Sequence, residues 1–262
     1  MLQVSRSAVN RQPPTNRASV KKRNRWLEKR IGKLIGRYPT FGYRRIWAML
    51  RRRGVTVNKK TVYRILKING WFVKNRIATP RPRAAGRRSV VDISDVRWAT
   101  DVTHIHCGRD GWGHLTAVID CHDRELIGFE FALRGRAREA ERALEQACIS
   151  RFGTLRPTGH TPVVRSDNGL IFQSRRFRSA CKDYRLEQEY VTPYTPEQNG
   201  LIEQFFRSLK EECVWQHRFH SFGEAQREIP RWIEWYNAER PHQSLGYLSP
   251  REFREQEALR VA

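Results

Sequence analysis

The amino-acid order predicts an α/β domain with a mixed sheet flanked by helices, preceded by a small all-α helix-turn-helix domain. Three observations carry this. Residues 98–133 hold three β-rich runs joined by short turns containing Gly or Asp. From there to about residue 238, helical and strand periods alternate. The stretch from 25 to 72 carries helical periodicity alone. The chain is therefore expected to comprise a flexible basic N-terminus (1–24), a helix-turn-helix domain (25–72), a basic Pro-rich linker (73–95) and the α/β domain with a C-terminal helical block (96–262).

Each element has its own signal. Leu27, Ile31, Leu34 and Ile35 stand at helical spacing between Arg25 and Arg37. YPTFGYRRIWAMLRRRG carries Ile46, Trp47 and Leu50 inward and stops at Gly54. Asn58 can cap KKTVYRILKING, where Val62, Ile65 and Leu66 face inward. Two short helices across a tight turn read as a helix-turn-helix. Lys59, Lys60, Tyr63, Arg64 and Lys67 are left pointing outward on the second, as a helix reading a DNA groove requires. Residues 73–95 are rich in Pro and Arg and lack periodicity, which suits a linker laid along DNA.

In the second domain WATDVTHIHC (98–107), WGHLTAVID (112–120) and ELIGFEFAL (125–133) predict an antiparallel meander. A helix over 137–152, a strand at 163–167, a helix at 174–184, a strand at 186–191 and helices from about 200 and over 223–238 follow.

Charge narrows the partner. The 262 residues hold 50 Lys and Arg against 27 Asp and Glu, a net charge of +23. Residues 1–90 hold 26 of the basic residues and a single acid, Glu28, so the net charge lies wholly in the first third. Like charges at that density repel one another unless a polyanion takes up the field. Nucleic acid does so, with release of its counterions. Cys107, Cys121, Cys148, Cys181 and Cys213 are odd in number, widely spaced and without a CxxC pair, as reduced thiols of a cytoplasmic protein would be. No apolar run reaches the 18 residues a membrane span needs, and MLQVSRSAVN lacks the apolar core of a secretory signal.

Three acids stand out. Asp101 lies inside a strand between β-branched neighbours, where Asp is disfavoured. Asp167 closes the fourth strand in RSDNG, and strand ends line the ligand crevice of such sheets. Glu203 sits at the edge of the helical stripe Ile202, Phe205, Phe206 and Leu209, with Arg207 and Lys210 one and two turns along the same face. Converging, the three make an all-oxygen site for Mg²⁺ or Mn²⁺, and two such ions would suit in-line phosphoryl displacement. Asp120 reads as a turn acid, His104 and His106 as polar sheet face, and Asn168 and Asn199 as turn residues or DNA contacts beside the acids.

WATDVTHI, RSDNG and YTPEQNGLIEQFFRSLK resemble the DDE integrase core shared by retroviral integrases and insertion-sequence transposases. The 35 residues between Asp167 and Glu203 reproduce its DD(35)E spacing, and Lys210 matches its basic position seven residues on. The helix-turn-helix segment and WYNAERPHQSLGYLSPREF (235–253) are similar to blocks of the second-reading-frame, orfB-type transposases of the insertion-sequence-three family, so the likeness covers about residues 38–253. It implies a ribonuclease-H-like core that cuts and rejoins DNA at terminal inverted repeats, with Asp101, Asp167 and Glu203 holding the metals. Water and then a freed 3′-hydroxyl would be the nucleophiles, and Lys210 would contact a phosphate. It further implies target DNA, a homo-oligomer on DNA, a first-frame (orfA-type) protein or fusion as partner, and a bacterial cytoplasm with the protein on the nucleoid.

There are departures. No His or Cys precedes residue 104, so the zinc module of retroviral integrases is not encoded in that stretch. No sustained heptad matches the first-frame coiled coil, while the opening VSRSAVNR resembles the tail of a first-frame product. A DNA-binding regulator with an inactive integrase-like core is the alternative expectation, and an RNA–DNA nuclease of the same fold is a second; three intact acids favour the transposase over the first, and the basic helices favour it over the second.

Overall fold

A computed structural model describes residues 24–73, 91–192 and 195–261. The predicted flexible N-terminus and most of the predicted linker lie outside the described residues. Contacts divide the chain into two units, Met1–Phe72 and Val73–Ala262.

The first unit is helical. α1 (Arg25–Arg37) buries Leu27, Ile31 and Leu34, and the Asn24 side chain caps it by accepting the Leu27 N–H at 3.0 Å. α2 (Tyr43–Arg52) buries Ile46, Ala48, Met49 and Leu50. It ends at a turn whose Gly54 has φ +72°, a conformation that costs a residue with a Cβ. α3 (Lys59–Ile68) is capped by Asn58, which accepts the Lys60 N–H at 2.8 Å, and buries Val62 and Leu66. Two expected core residues differ. Trp47 is half-buried because its indole N–H closes the turn on the Val57 carbonyl at 2.7 Å, and Ile65 is half-buried on the flank of its helix.

The second unit is built on a five-stranded sheet ordered β3-β2-β1-β4-β5. β1 (Arg97–His106), β2 (Trp112–Asp120) and β3 (Leu126–Ala132) form the expected antiparallel meander. β4 (Val163–Ser166) pairs parallel to β1, and β5 (Glu187–Tyr190) parallel to β4. α4 (Ala137–Phe152) and α6 (Arg175–Asp183) cover one face, packing Ala140, Leu144 and Phe177 with Trp98, Val118 and Val164. The predicted 174–184 helix begins at Arg175 because Ser174 caps it, and a short helix, α5 (Leu170–Gln173), precedes it.

α7 (Gly200–Glu212) and α8 (Phe222–Ala238) cover the other face with Ala99, Ile105, Leu115, Ala117 and Ile119. All four members of the α7 stripe, Ile202, Phe205, Phe206 and Leu209, are buried. At about 1.5–3 kcal/mol each, their burial fixes the rotation of α7 about its axis. A final helix, α9 (Pro250–Val261), was not anticipated as a separate element.

Candidate active site

The parallel ladder between β1 and β4 runs from Arg97↔Val163 to Ala99↔Arg165 and stops. Asp101 lies two residues beyond the last rung on one strand and Asp167 two residues beyond it on the other. Where parallel strands part, a crevice opens at their C-terminal ends. Side chains alternate along β1, so Asp101 shares the face of Ala99 and Ile105, on which α7 packs. Glu203 stands exposed in the first turn of α7.

These groups feel one another. Burial pushes the Asp101 carboxyl up, a hydrogen bond from the Val102 N–H (2.7 Å) pulls it down, the charges of Asp167 and Glu203 raise it and Lys210 lowers it. The balance stands at about 6. Asp167 Oδ1 accepts the Gly169 N–H at 2.9 Å. A Cβ at Gly169 would lie 2.8 Å from that same oxygen, so a side chain there would displace the carboxylate. The sequence reading missed this glycine, although it stands two residues from the acid in RSDNG.

Among the described residues the Asp101 and Asp167 carboxylates each accept a single hydrogen bond and that of Glu203 accepts none, so oxygen lone pairs remain for a hard cation. The donor type fits Mg²⁺ or Mn²⁺. The three are not drawn into one coordination shell: among the described residues no group of three His, Cys, Asp or Glu side chains is close enough to hold an ion.

The residues expected beside the acids behave differently from one another. Lys210 is half-buried and acts on Asp101 through its charge. Arg207 pairs with Glu211 on its own helix at 3.0 Å. Asn168 donates to the Val191 carbonyl at 2.9 Å, tying the Asp167 turn to the end of β5. Asn199 is buried, and its Oδ1 has no partner among the described residues. Asp120 is a turn acid, accepting the N–H groups of Asp95, His122 and Asp123. The His104 ring meets His114 edge-on and His106 meets Trp112. Arg165 in β4, which the sequence does not single out, is buried in the sheet two residues before Asp167.

In the helical unit Lys60, Tyr63, Arg64 and Lys67 are exposed on one helix, as a groove-reading surface requires. Lys59 is exposed on the same helix, and its ammonium stands 4.2 Å from the centre of the Trp47 ring. Tyr63 meets Tyr43 edge-on at 5.2 Å and Phe72 at 5.1 Å, an aromatic surface among the basic side chains.

Two family models described as integrase core domain match residues 92–196 and 184–250. Transposase InsD for insertion element IS2A/D/F/H/I/K of Escherichia coli is 31% identical over 236 residues, covering 87% of this chain and 78% of the relative. The chain belongs to the integrase-core, DDE-type transposases of insertion sequences. As such it is an enzyme of DNA strand cleavage and strand transfer. The transposase also matches an HTH-like domain model over residues 22–77. The InsD transposase for insertion element IS2-9 of Escherichia coli strain K12 is similar to it to the same extent, 31%, with 76% of the relative covered. The fold of this chain resembles that in the simian T-cell lymphotropic virus intasome in complex with PP2A regulatory subunit B56 gamma, at 20% identity and TM-score 0.52, covering 86% of this chain and 74% of that one. Among the described residues no helix is long and apolar enough to cross a membrane.

Proposed function

We propose that Asp101, Asp167 and Glu203 are the catalytic acids of this transposase and would hold two Mg²⁺ or Mn²⁺ ions for the cutting of its element's ends and their joining to target DNA. The observation that supports this reading is the end of the β1–β4 ladder, where two acids stand at matched positions past the last rung and where the charges of Asp167 and of Glu203 on α7 both act on Asp101. A divalent cation bound there would polarise the scissile phosphate and activate the attacking oxygen. The carboxylates would fix its position: β1 and β4 are neighbours in the middle of the sheet, and Glu203 stands on the exposed first turn of α7. Lys210, half-buried and coupled to Asp101, holds a phosphate of the DNA backbone beside the acids. Lys60, Arg64 and Lys67 grip the DNA from the other unit, with Tyr63 against the sugar or base edge.

The DNA partners are the terminal inverted repeats and a target duplex. The complex is a homo-oligomer assembled on DNA in the bacterial cytoplasm, at the nucleoid, with a first-frame product or fusion completing end recognition. The test is cleavage and joining of labelled end-repeat DNA with Mg²⁺ or Mn²⁺, wild type beside Glu203→Gln, with gel-shift binding in parallel. Cutting by the wild type and binding without cutting by Glu203→Gln is the expected pair of results. If both bind and neither cuts, even with the first-frame product added, the reading is wrong and a regulator with an inactive core replaces it.

A further inference from the structure

We infer that Arg165 is a positioning residue for transposition, fixing the segment that leads into α7 and through it Glu203; the inference rests on Glu203 belonging to the catalytic set. Arg165 is only 4% exposed on β4, and its rung partner on β1 is Ala99, two residues before Asp101. Its guanidinium is spent in two directions. Nε and Nη2 donate to the two oxygens of Glu189 on β5, each at 3.1 Å. Nη1 donates to the main-chain carbonyl of Gln198 at 3.1 Å. Gln198 lies in the turn Pro196–Asn199, which runs directly into Gly200 and α7.

Two neighbours extend the grip. Arg97 of β1 reaches Glu189 at 3.2 Å, so one carboxylate binds arginines of two adjacent strands. The Gln198 side chain closes the base of the loop on Thr192, accepting its N–H at 2.9 Å and donating to its hydroxyl at 3.2 Å. Thr192 and Gln198 are thereby tied to each other, and Gln198 to a buried cation in the strand next to that of Asp101. Apolar residues in place of Arg165 and Glu189 together could fill the same volume with little loss of stability, so a buried ion pair is weak evidence for a stabilising role. What an apolar residue could not supply is direction. The planar fork engages a carboxylate with one edge and leaves another N–H aimed at the Gln198 carbonyl, and a lysine offers only a point charge.

The experiment compares full-length wild type, Arg165→Lys, Glu189→Gln and Glu203→Gln. It measures single-turnover cleavage of end-repeat duplex across Mn²⁺ concentrations, DNA binding by gel shift, and amide hydrogen exchange over residues 192–203. Arg165→Lys is expected to bind DNA as wild type does, to exchange faster over 192–203, and to cleave roughly tenfold to a hundredfold more slowly at saturating DNA, the scale of a small misplacement. Glu189→Gln should move each readout the same way by less. Wild-type cleavage and exchange in both variants would overturn the inference, as would a loss confined to DNA affinity. Should Arg165→Lys fail to fold, Glu189→Gln, at a half-exposed position, decides alone by the same criteria. If Glu203→Gln cuts as well as wild type, the catalytic assignment itself fails; if it is inert while both arginine-network variants match wild type, only the role given to Arg165 fails.

Discussion

Arg240 grips the carboxylate of Glu212 through two hydrogen bonds, Nη2 to Oε1 at 2.6 Å and Nε to Oε2 at 2.7 Å, with both side chains under a tenth exposed. The pair joins the residues just past α8 to the last residue of α7, and Arg240 also donates to Ser208 at 3.2 Å. Arg240→Met leaves the Glu212 carboxylate buried without its partner, and should lower the unfolding free energy by about 3–5 kcal/mol. Pairing it with Glu212→Leu should recover most of that, because two apolar side chains replace the ions together. Denaturant unfolding of the two variants checks both figures; a cost below about 1 kcal/mol for the single change would contradict the account.

Asp101 is expected to trade stability for chemistry. Its carboxyl is raised from 3.8 to about 6, with burial the largest cause. A carboxylate with a folded value above its unfolded value costs stability at neutral pH and returns it as pH falls through about 6. Asp101→Asn should therefore abolish cleavage yet raise the unfolding free energy at pH 7 by about 1–3 kcal/mol, with the gain shrinking below pH 6. Unfolding curves at pH 5 and pH 7 test this, and a destabilised Asn variant at pH 7 would refute it.

His122 supplies a second pH dependence of opposite origin. Its Nδ1 faces the Val91 carbonyl at 2.8 Å and its Nε2 faces Glu257 of α9 at 2.6 Å. A carbonyl and a carboxylate both accept, so the protonated ring, which donates from both nitrogens, is the form these contacts favour. Burial alone would lower its pKa; the hydrogen bonds to Glu257 and Val91 and the charges of Glu257 and Asp120 outweigh it and raise it. Stability from a raised His is full below the unfolded value and is lost as pH rises through the folded one. The stability of the wild type relative to His122→Gln should thus fall as pH rises above about 6.5. A pH-independent difference between the two would show that the ring is neutral.

The helical unit yields a test by salt. Replacing Lys60 or Lys67 with Gln should weaken DNA binding across sequences and reduce the slope of affinity against salt by about one phosphate contact each. Lys59→Gln should change that slope least, since its ammonium lies over Trp47. It should instead cost about 0.5–1 kcal/mol of stability. Gel shifts at several salt concentrations separate the three.

What the sequence revealed follows from how each residue is held. The α7 stripe was legible because four large apolar side chains at helical spacing have one way to be buried, and all four are. Asp101 stands out in the sequence because its residue type is disfavoured in a strand interior, and it does lie within β1. Arg165 and Arg240 were not legible. A lone arginine reads as solvent-facing, and their partners lie 24 and 28 residues away in sequence, in contacts that only the tertiary fold creates. α9 escaped for a related reason. It docks by charge, Arg251 and Arg254 on Glu125 and Glu257 on His122, and so has no apolar stripe to find.

The clamp between Arg240 and Glu212 also sets an order in time. A ribosome adds about 5–20 residues per second, so Arg240 is made on the order of ten seconds or more after residue 72 completes the helical unit. During that interval the growing chain holds a finished basic domain and strands bearing Asp101 and Asp167, while α7 lacks the arginine that fastens its far end. The helical unit is therefore complete before the far end of α7 can be fastened, and a product that stops short of residue 240 would hold the whole of the first unit while lacking the clamp in the second.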